Sequence, residues 1–323
     1  MTPLLTRVLL ACVLVCLIAA PAQAITIDYV PVGDIGNAAE WQGYLPGPNV
    51  GAVGYEYSIG KYEVTVGQYT EFLNAKAGSA DPMGLYNGGM PISKAGAVYT
   101  ATDPNKPIDY VNWGDAARFA NWVGNGGGAG DMESGAYALA GATTHAALIG
   151  IARTGGTVFL PSEDEMYKAG WYDGGGAVYY NFGTGTDTPP TATATPGAGT
   201  NLVNATFGIG APMVDVDAFP NSQSYYGAQM MSGNAAEWTD TVIDVYGTPY
   251  SIFSSTSAST SSAALPATGS RSGRSSREYE DALTGIRLAT TGGEPPPGVP
   301  EPASVLLLGL GGLGLLALRR RRS

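Results

Sequence analysis

The chain has 323 residues, with 27 acidic against 16 basic side chains, a formal charge of −11, 47 glycines and 22 prolines. Such an acidic balance argues against nucleic acid or an anionic lipid surface as partner, and it suits solubility and divalent cations. Both cysteines, Cys12 and Cys16, lie before residue 25.

Residues 1–24 read as a signal peptide. Arg7 precedes the apolar run Val8 to Ala20, and Ala22-Gln23-Ala24 satisfies the small-residue rule for cleavage, so Ile25 is the expected mature N-terminus. Without the leader and the four terminal arginines, 11 basic residues face 27 acidic ones, a charge of about −16, and no cysteine remains. No disulfide, thiolate ligand or cysteine nucleophile is then available. Core burial, supported by metal ions, is expected to hold about 275 mature residues, enough for one large domain or two small ones.

A strand is expected over Tyr55 to Val64. Thr65 with Gln68 then forms a capping box ahead of Tyr69, Phe72 and Leu73, which share one helical face. Asn112 caps a second helix, with Ala116, Phe119, Ala120 and Val123 along one side and Gly124 to Gly128 ending it. A strand at Thr157 to Leu160 leads to a third helix, capped by Ser162 with Glu165 ahead of Met166, Ala169 and Tyr172. These helices are short and amphipathic, so each needs a surface to lie against. Further strands are expected over Ala236 to Ile243 and Gly285 to Ala289. Gly183 to Gly199 and Phe253 to Ser276 are Ser/Thr/Pro/Gly-rich and read as surface loops. Few helices, scattered strands and dominant loops indicate an α+β domain.

Gly292 to Pro300 reads as a Gly/Pro linker, and VPEP, Val299 to Pro302, precedes the apolar stretch Ala303 to Leu318 and Arg319 to Arg322. As a helix that stretch spans about 24 Å, short of a hydrocarbon core about 30 Å thick. The arginines should stay in the cytoplasm, making a stop-transfer tail that touches the inner membrane transiently. Pro-Glu-Pro, a glycine-rich span and an arginine cluster in this order resemble the PEP-CTERM sorting signal. That resemblance implies processing by an exosortase in a Gram-negative bacterium that makes exopolysaccharide, with delivery to the envelope, outer surface or matrix. The expected organisation is a leader at 1–24, one domain at 25–291, a linker at 292–300 and a sorting tail at 301–323.

Five blocks follow one another in the domain: IGKYEVTVGQYTEFLN (Ile59 to Asn74), PIDYVNWGDAARFANWV (Pro107 to Val123), FLPSEDEMYKAGWY (Phe159 to Tyr172), VDAFPNSQSYYGAQMMSGNAAEWTD (Val216 to Asp240) and TGIRLAT (Thr284 to Thr290). Together they resemble the formylglycine-generating enzyme family, the sulfatase-modifying factor domain, over roughly Tyr29 to Thr290. The resemblance implies a C-type-lectin-like α+β single domain with calcium ions tying loops together.

It also implies a chemistry, the oxidation of a substrate cysteine to formylglycine by two cysteines that bind copper. Soft thiolates suit Cu(I). The corresponding stretch, Gly269 to Ala289, holds Ser270, Ser272, Ser275 and Ser276, with Leu288 where the enzymes place a cysteine. Copper is therefore not expected. A second branch of the family binds iron through three histidines, and only His145 occurs here, read as a surface or loop residue. The adjacent acids Asp164/Glu165 and Glu280/Asp281 point apart and read as solvated charge.

The resemblance places one calcium on the carbonyls of Gly233 and Ala235 and the carboxylate of Glu237, with Met230 at a fourth position that calls for oxygen. Asn204 is the counterpart of a ligand at a second calcium site, with Asp215 beside it. Trp113, Trp122 and Trp171 read as core, while exposed aromatics and carboxylates elsewhere would suit sugar rings. The expected function is a non-catalytic binding or structural protein of the envelope or matrix, with extracellular polysaccharide or a surface protein as partner. The alternative is an enzyme of altered chemistry using the family pocket.

Overall fold

The computed structural model describes residues 25–40, 49–205, 212–254 and 273–292. The leader, most of the Phe253 to Ser276 stretch and the sorting tail lie outside these residues. Among the described residues, no helix is long and apolar enough to cross a membrane.

Among the described residues there are four helices: α1 (Val66–Lys76), α2 (Trp113–Gly124), α3 (His145–Leu148) and α4 (Glu163–Trp171). The described strands, in chain order, are β1 (Tyr29–Val32), β2 (Tyr57–Gly60), β3 (Ile92–Ala95), β4 (Val98–Ala101), β5 (Val158–Phe159), β6 (Tyr172–Asp173), β7 (Val178–Tyr179), β8 (Thr191–Ala192), β9 (Leu202–Val203), β10 (Ala236–Val245), β11 (Thr248–Phe253), β12 (Gly273–Ser275), β13 (Thr284–Gly285) and β14 (Ala289–Thr290).

The three long helices start where their caps require. Thr65, Asn112 and Ser162 each accept from the backbone three residues on, and Gln68, Asp115 and Glu165 return a side-chain bond to the cap. Each box satisfies amides that a helix start would otherwise leave bare.

Two four-stranded sheets organise the domain. The first has the order β1-β2-β14-β5, all antiparallel, with Ala289 opposite both Ile59 and Phe159. The second has the order β12-β11-β10-β13. The expected strand at Gly285 to Ala289 is thus two short strands, one in each sheet, with Ile286 to Leu288 crossing between them. The stretch Phe253 to Ser276, expected to be loop, has strand at both described ends, where Phe253 pairs with Gly273. Gly183 to Gly199 likewise carries β8, which pairs with β9.

The helices meet over rings. Tyr69 and Phe72 of α1 pack against Phe119 and Trp122 of α2, with centroids between 5.2 and 5.8 Å apart. Removing one such buried ring costs about 3–5 kcal/mol. Trp113, Trp122 and Trp171 are all buried. The one-sided reading of α2 needs correction, because Trp113 to Val123 are buried around the whole helix. Segment 131–142 closes over its polar side: Arg118 Nε bonds Glu133 Oε1 at 2.6 Å, and Asn121 Nδ2 donates to the Met132 and Tyr137 carbonyls. Burying those groups costs little once every donor has an acceptor.

Candidate functional site

The approach to β10 is a turn that only certain residues can make. Met230, Gly233 and Asn234 have φ of 54°, 93° and 60°, and a Cβ on Gly233 would fall 2.5 Å from the Asn204 carbonyl oxygen. Glycine alone fits there. Asn234 binds the turn to its surroundings, since its N–H donates to the Asn204 carbonyl at 2.8 Å and its Nδ2 to Glu63 Oε2 at 2.8 Å. Its Oδ1 accepts from Asn204 Nδ2 at 3.1 Å and from the Val214 N–H at 3.0 Å. The Ala235 N–H donates to Glu63 Oε1 at 2.8 Å.

Beyond the turn, Glu237 meets Arg287. Arg287 Nε and Nη2 lie 3.0 and 2.8 Å from Glu237 Oε1, while Ser254 Oγ donates to Oε2. The remaining guanidinium donors reach the Gly60 and Gln229 carbonyls, both at 2.9 Å. The pair is sealed from water, where a matched geometry offsets the desolvation of two charges. Burial and then the Glu237 charge push Glu63 up to about 8, with Arg287 opposing. Burial also raises Glu237 against the pull of Arg287. A cavity of about 260 Å³ borders Glu63 beside Thr26, Asp28 and Gln68, below the roughly 300–1,000 Å³ of ordinary ligand sites.

Gly233, Ala235, Glu237 and Asn204 therefore belong to one buried neighbourhood. A guanidinium on Glu237 neutralises the charge a calcium ion would use, so that carboxylate does not fit the ligand role. Asn204 differs: its Oδ1 is buried and lacks a hydrogen-bond partner, the state of an oxygen able to serve a hard cation. Glu63, Asn234 and Arg287 went unread in the sequence, although all three lie within the quoted blocks, Ile59 to Asn74, Val216 to Asp240 and Thr284 to Thr290. Nothing in local spacing pairs an acid with a base 50 residues away.

The stretch expected to hold catalytic cysteines is occupied differently. Leu288 is fully buried, and its carbonyl accepts from the Gly60 N–H at 2.8 Å. Ser275 ends β12, and Ser270 and Ser272 lie outside the described residues. Arg277 is buried with its guanidinium 3.4 Å from the centre of the Trp113 ring. It donates to Ser251 Oγ at 2.7 Å and to the Ile151 carbonyl at 2.8 Å, and desolvation lowers it to about 10. His145 Nδ1 accepts from the Arg277 N–H at 3.0 Å, which gives this half-buried imidazole a structural partner. Among the described residues, no three or more His, Cys, Asp or Glu side chains group as a metal site.

The carboxylates expected in solvent also need correction. Glu165 is fully buried, accepting from Tyr55 Oη at 2.6 Å and Arg153 Nη1 at 3.1 Å. Arg153 Nε lies 3.4 Å from Asp240 Oδ2, and burial lifts Asp240 to about 6 against the pull of Arg153. Glu280 accepts from Asn87 and from Asn112 Nδ2, the latter at 2.7 Å. Capping and ion pairing, which a reading of adjacent charges misses, draw these acids inward.

Residues 29–291 match the family described as the sulfatase-modifying factor enzyme 1-like domain. The chain belongs to this family. Residues 298–322 match the PEP-CTERM protein-sorting motif, which implies export to the envelope of a Gram-negative bacterium and processing by an exosortase. No curated protein matches the chain. Among solved structures, the crystal structure of CarF is similar at a TM-score of 0.52 and 18% identity, over 82% of this chain and 98% of its own. Treponema denticola variable protein 1 is similar at 0.53 and 18%, over 84% and 99%. These likenesses show the fold alone, and the sulfatase-modifying factor domain here is a C-type-lectin-like α+β single domain.

Proposed function

We propose that this domain is a non-catalytic binding or structural module of the cell envelope or extracellular matrix, with extracellular polysaccharide or a surface protein as its partner. One observation carries the reading: where the family's oxidative enzymes hold thiols, this chain has serines, Arg277 and the buried Leu288. Oxygen and guanidinium groups do not bind Cu(I) as thiolates do. In an aerobic assay with copper, a cysteine-containing sulfatase peptide is expected to keep its thiol. Appearance of the peptide aldehyde by mass spectrometry would overturn the reading.

The partner is supported by the sorting motif and by the chain's acidic balance, which disfavours nucleic acid. Calcium would take Asn204 Oδ1 as a ligand. Removing it with EDTA is expected to lower the thermal midpoint. An unchanged midpoint, with no calcium in metal analysis of the purified protein, would exclude it. Stoichiometric copper or iron in the same analysis would favour an enzyme of altered chemistry instead.

A further inference from the structure

We propose that the face formed by Tyr225, Tyr226, Asp34 and the loop Asp173 to Gly176 binds an uncharged polysaccharide. This inference rests on the binding role proposed above and gives it a place and a ligand class. Tyr225 is 51% exposed, and its ring stands edge-on to Tyr226 at 5.1 Å and 85°. The surroundings of the two rings are fixed by polar contacts. Tyr226 Oη donates to Asp34 Oδ2 at 2.8 Å, and Tyr180 Oη donates to Asp173 Oδ2 at 2.8 Å. The Gly175 N–H holds Asp173 Oδ1 at 2.8 Å.

Three separate chain segments converge here. A Cβ on Gly174 would meet Asp34 Oδ2 at 1.9 Å, so glycine at 174 lets the loop lie this close to Asp34, and a Cβ on Gly175 would sit in van der Waals contact with Tyr225 Oη at 3.4 Å. Asp34 has φ of 57°, and its carbonyl accepts from Lys168 Nζ at 2.9 Å, which holds the strained turn in place. The face is thus ordered before any ligand arrives, which reduces the entropy lost on binding.

The chemistry favours one class. An exposed ring stacks on the C–H face of a pyranose, and an ionised carboxylate has about four acceptor positions, of which the tyrosines and the Gly175 amide take only some. Sugar hydroxyls can donate to the remainder. Asp34 and Asp173, within a strongly acidic chain, would repel the uronates or sulfates of an anionic polymer. Single contacts of this kind are weak, and a repeating polymer on many copies of the domain compensates through effective concentration.

The test is native gel electrophoresis of the exported protein through gels containing dextran, hydroxyethylcellulose or alginate, comparing the wild type with Tyr225→Ala, Tyr225→Leu and Tyr246→Ala. Tyr246 is 98% exposed at the β10–β11 turn and serves as the control for any exposed ring. A neutral glucan should retard the wild type and Tyr246→Ala, with affinity falling roughly tenfold in both Tyr225 variants while their melting stays unchanged. Equal retardation of wild type and Tyr225 variants would overturn the site and leave the binding role standing. Retardation by alginate alone would overturn the uncharged class. Retardation by none of the three overturns the inference, and if the protein also fails to sediment with polysaccharide from its own cells, the polysaccharide role itself falls.

Discussion

Arg287 joins three parts of the chain through one guanidinium: the carboxylate of Glu237, the end of β2 at Gly60 and the Gln229 carbonyl. Arg287→Met leaves Glu237 buried and unpaired, and a loss of about 3–5 kcal/mol is expected in urea unfolding. A double variant with Glu237→Leu should recover much of that loss, and a near-neutral single variant would show that the pair contributes nothing. Gly233→Ala forces a Cβ against the Asn204 carbonyl at positive φ and should cost about 1–3 kcal/mol. The sequence motif already nominated Gly233 and Glu237. What it concealed was the partner, because an ion pair between residues 237 and 287 depends on the crossing of Ile286 to Leu288 between two sheets, and only the fold sets that crossing.

At the level of elements, the caps were the most legible feature, since a side chain that bonds an amide three residues away acts within a single turn. Thr65→Ala and Ser162→Ala are each expected to lower stability by about 1 kcal/mol in denaturant titration. If the loss is confined to Ser162→Ala, the α1 cap is dispensable. Ser162 sits under greater constraint, because its partner Glu165 also receives Arg153 and Tyr55. Strand positions were found less accurately. β5, β13 and β14 hold two residues each, too few for alternation to register against the surrounding loops. The burial of α2 on all sides was equally hidden, since Arg118 and Asn121 read as outward-facing until Glu133 and Tyr137 fold over them.

For the whole molecule, buried acids set the pH response. Burial lifts Asp240 to about 6 and Asp109 to about 7. Both carboxyls hold their proton more tightly folded than unfolded, so the folded chain carries more protons between about pH 4 and 7. Their contribution to stability therefore falls as pH rises through that window. Asp240→Asn should flatten the decline between about pH 4 and 6 in stepped-pH melting curves. A wild-type midpoint that climbs relative to the variant over that range would reverse the sign. The placement of β14 between β2 and β5 reaches further than stability. The first sheet cannot close without residues 289–290, which lie only a few residues ahead of the sorting motif at 298–322. The first sheet therefore forms only once nearly the whole domain is present, and truncation before Ala289 should yield material that is degraded instead of accumulating as a shortened product.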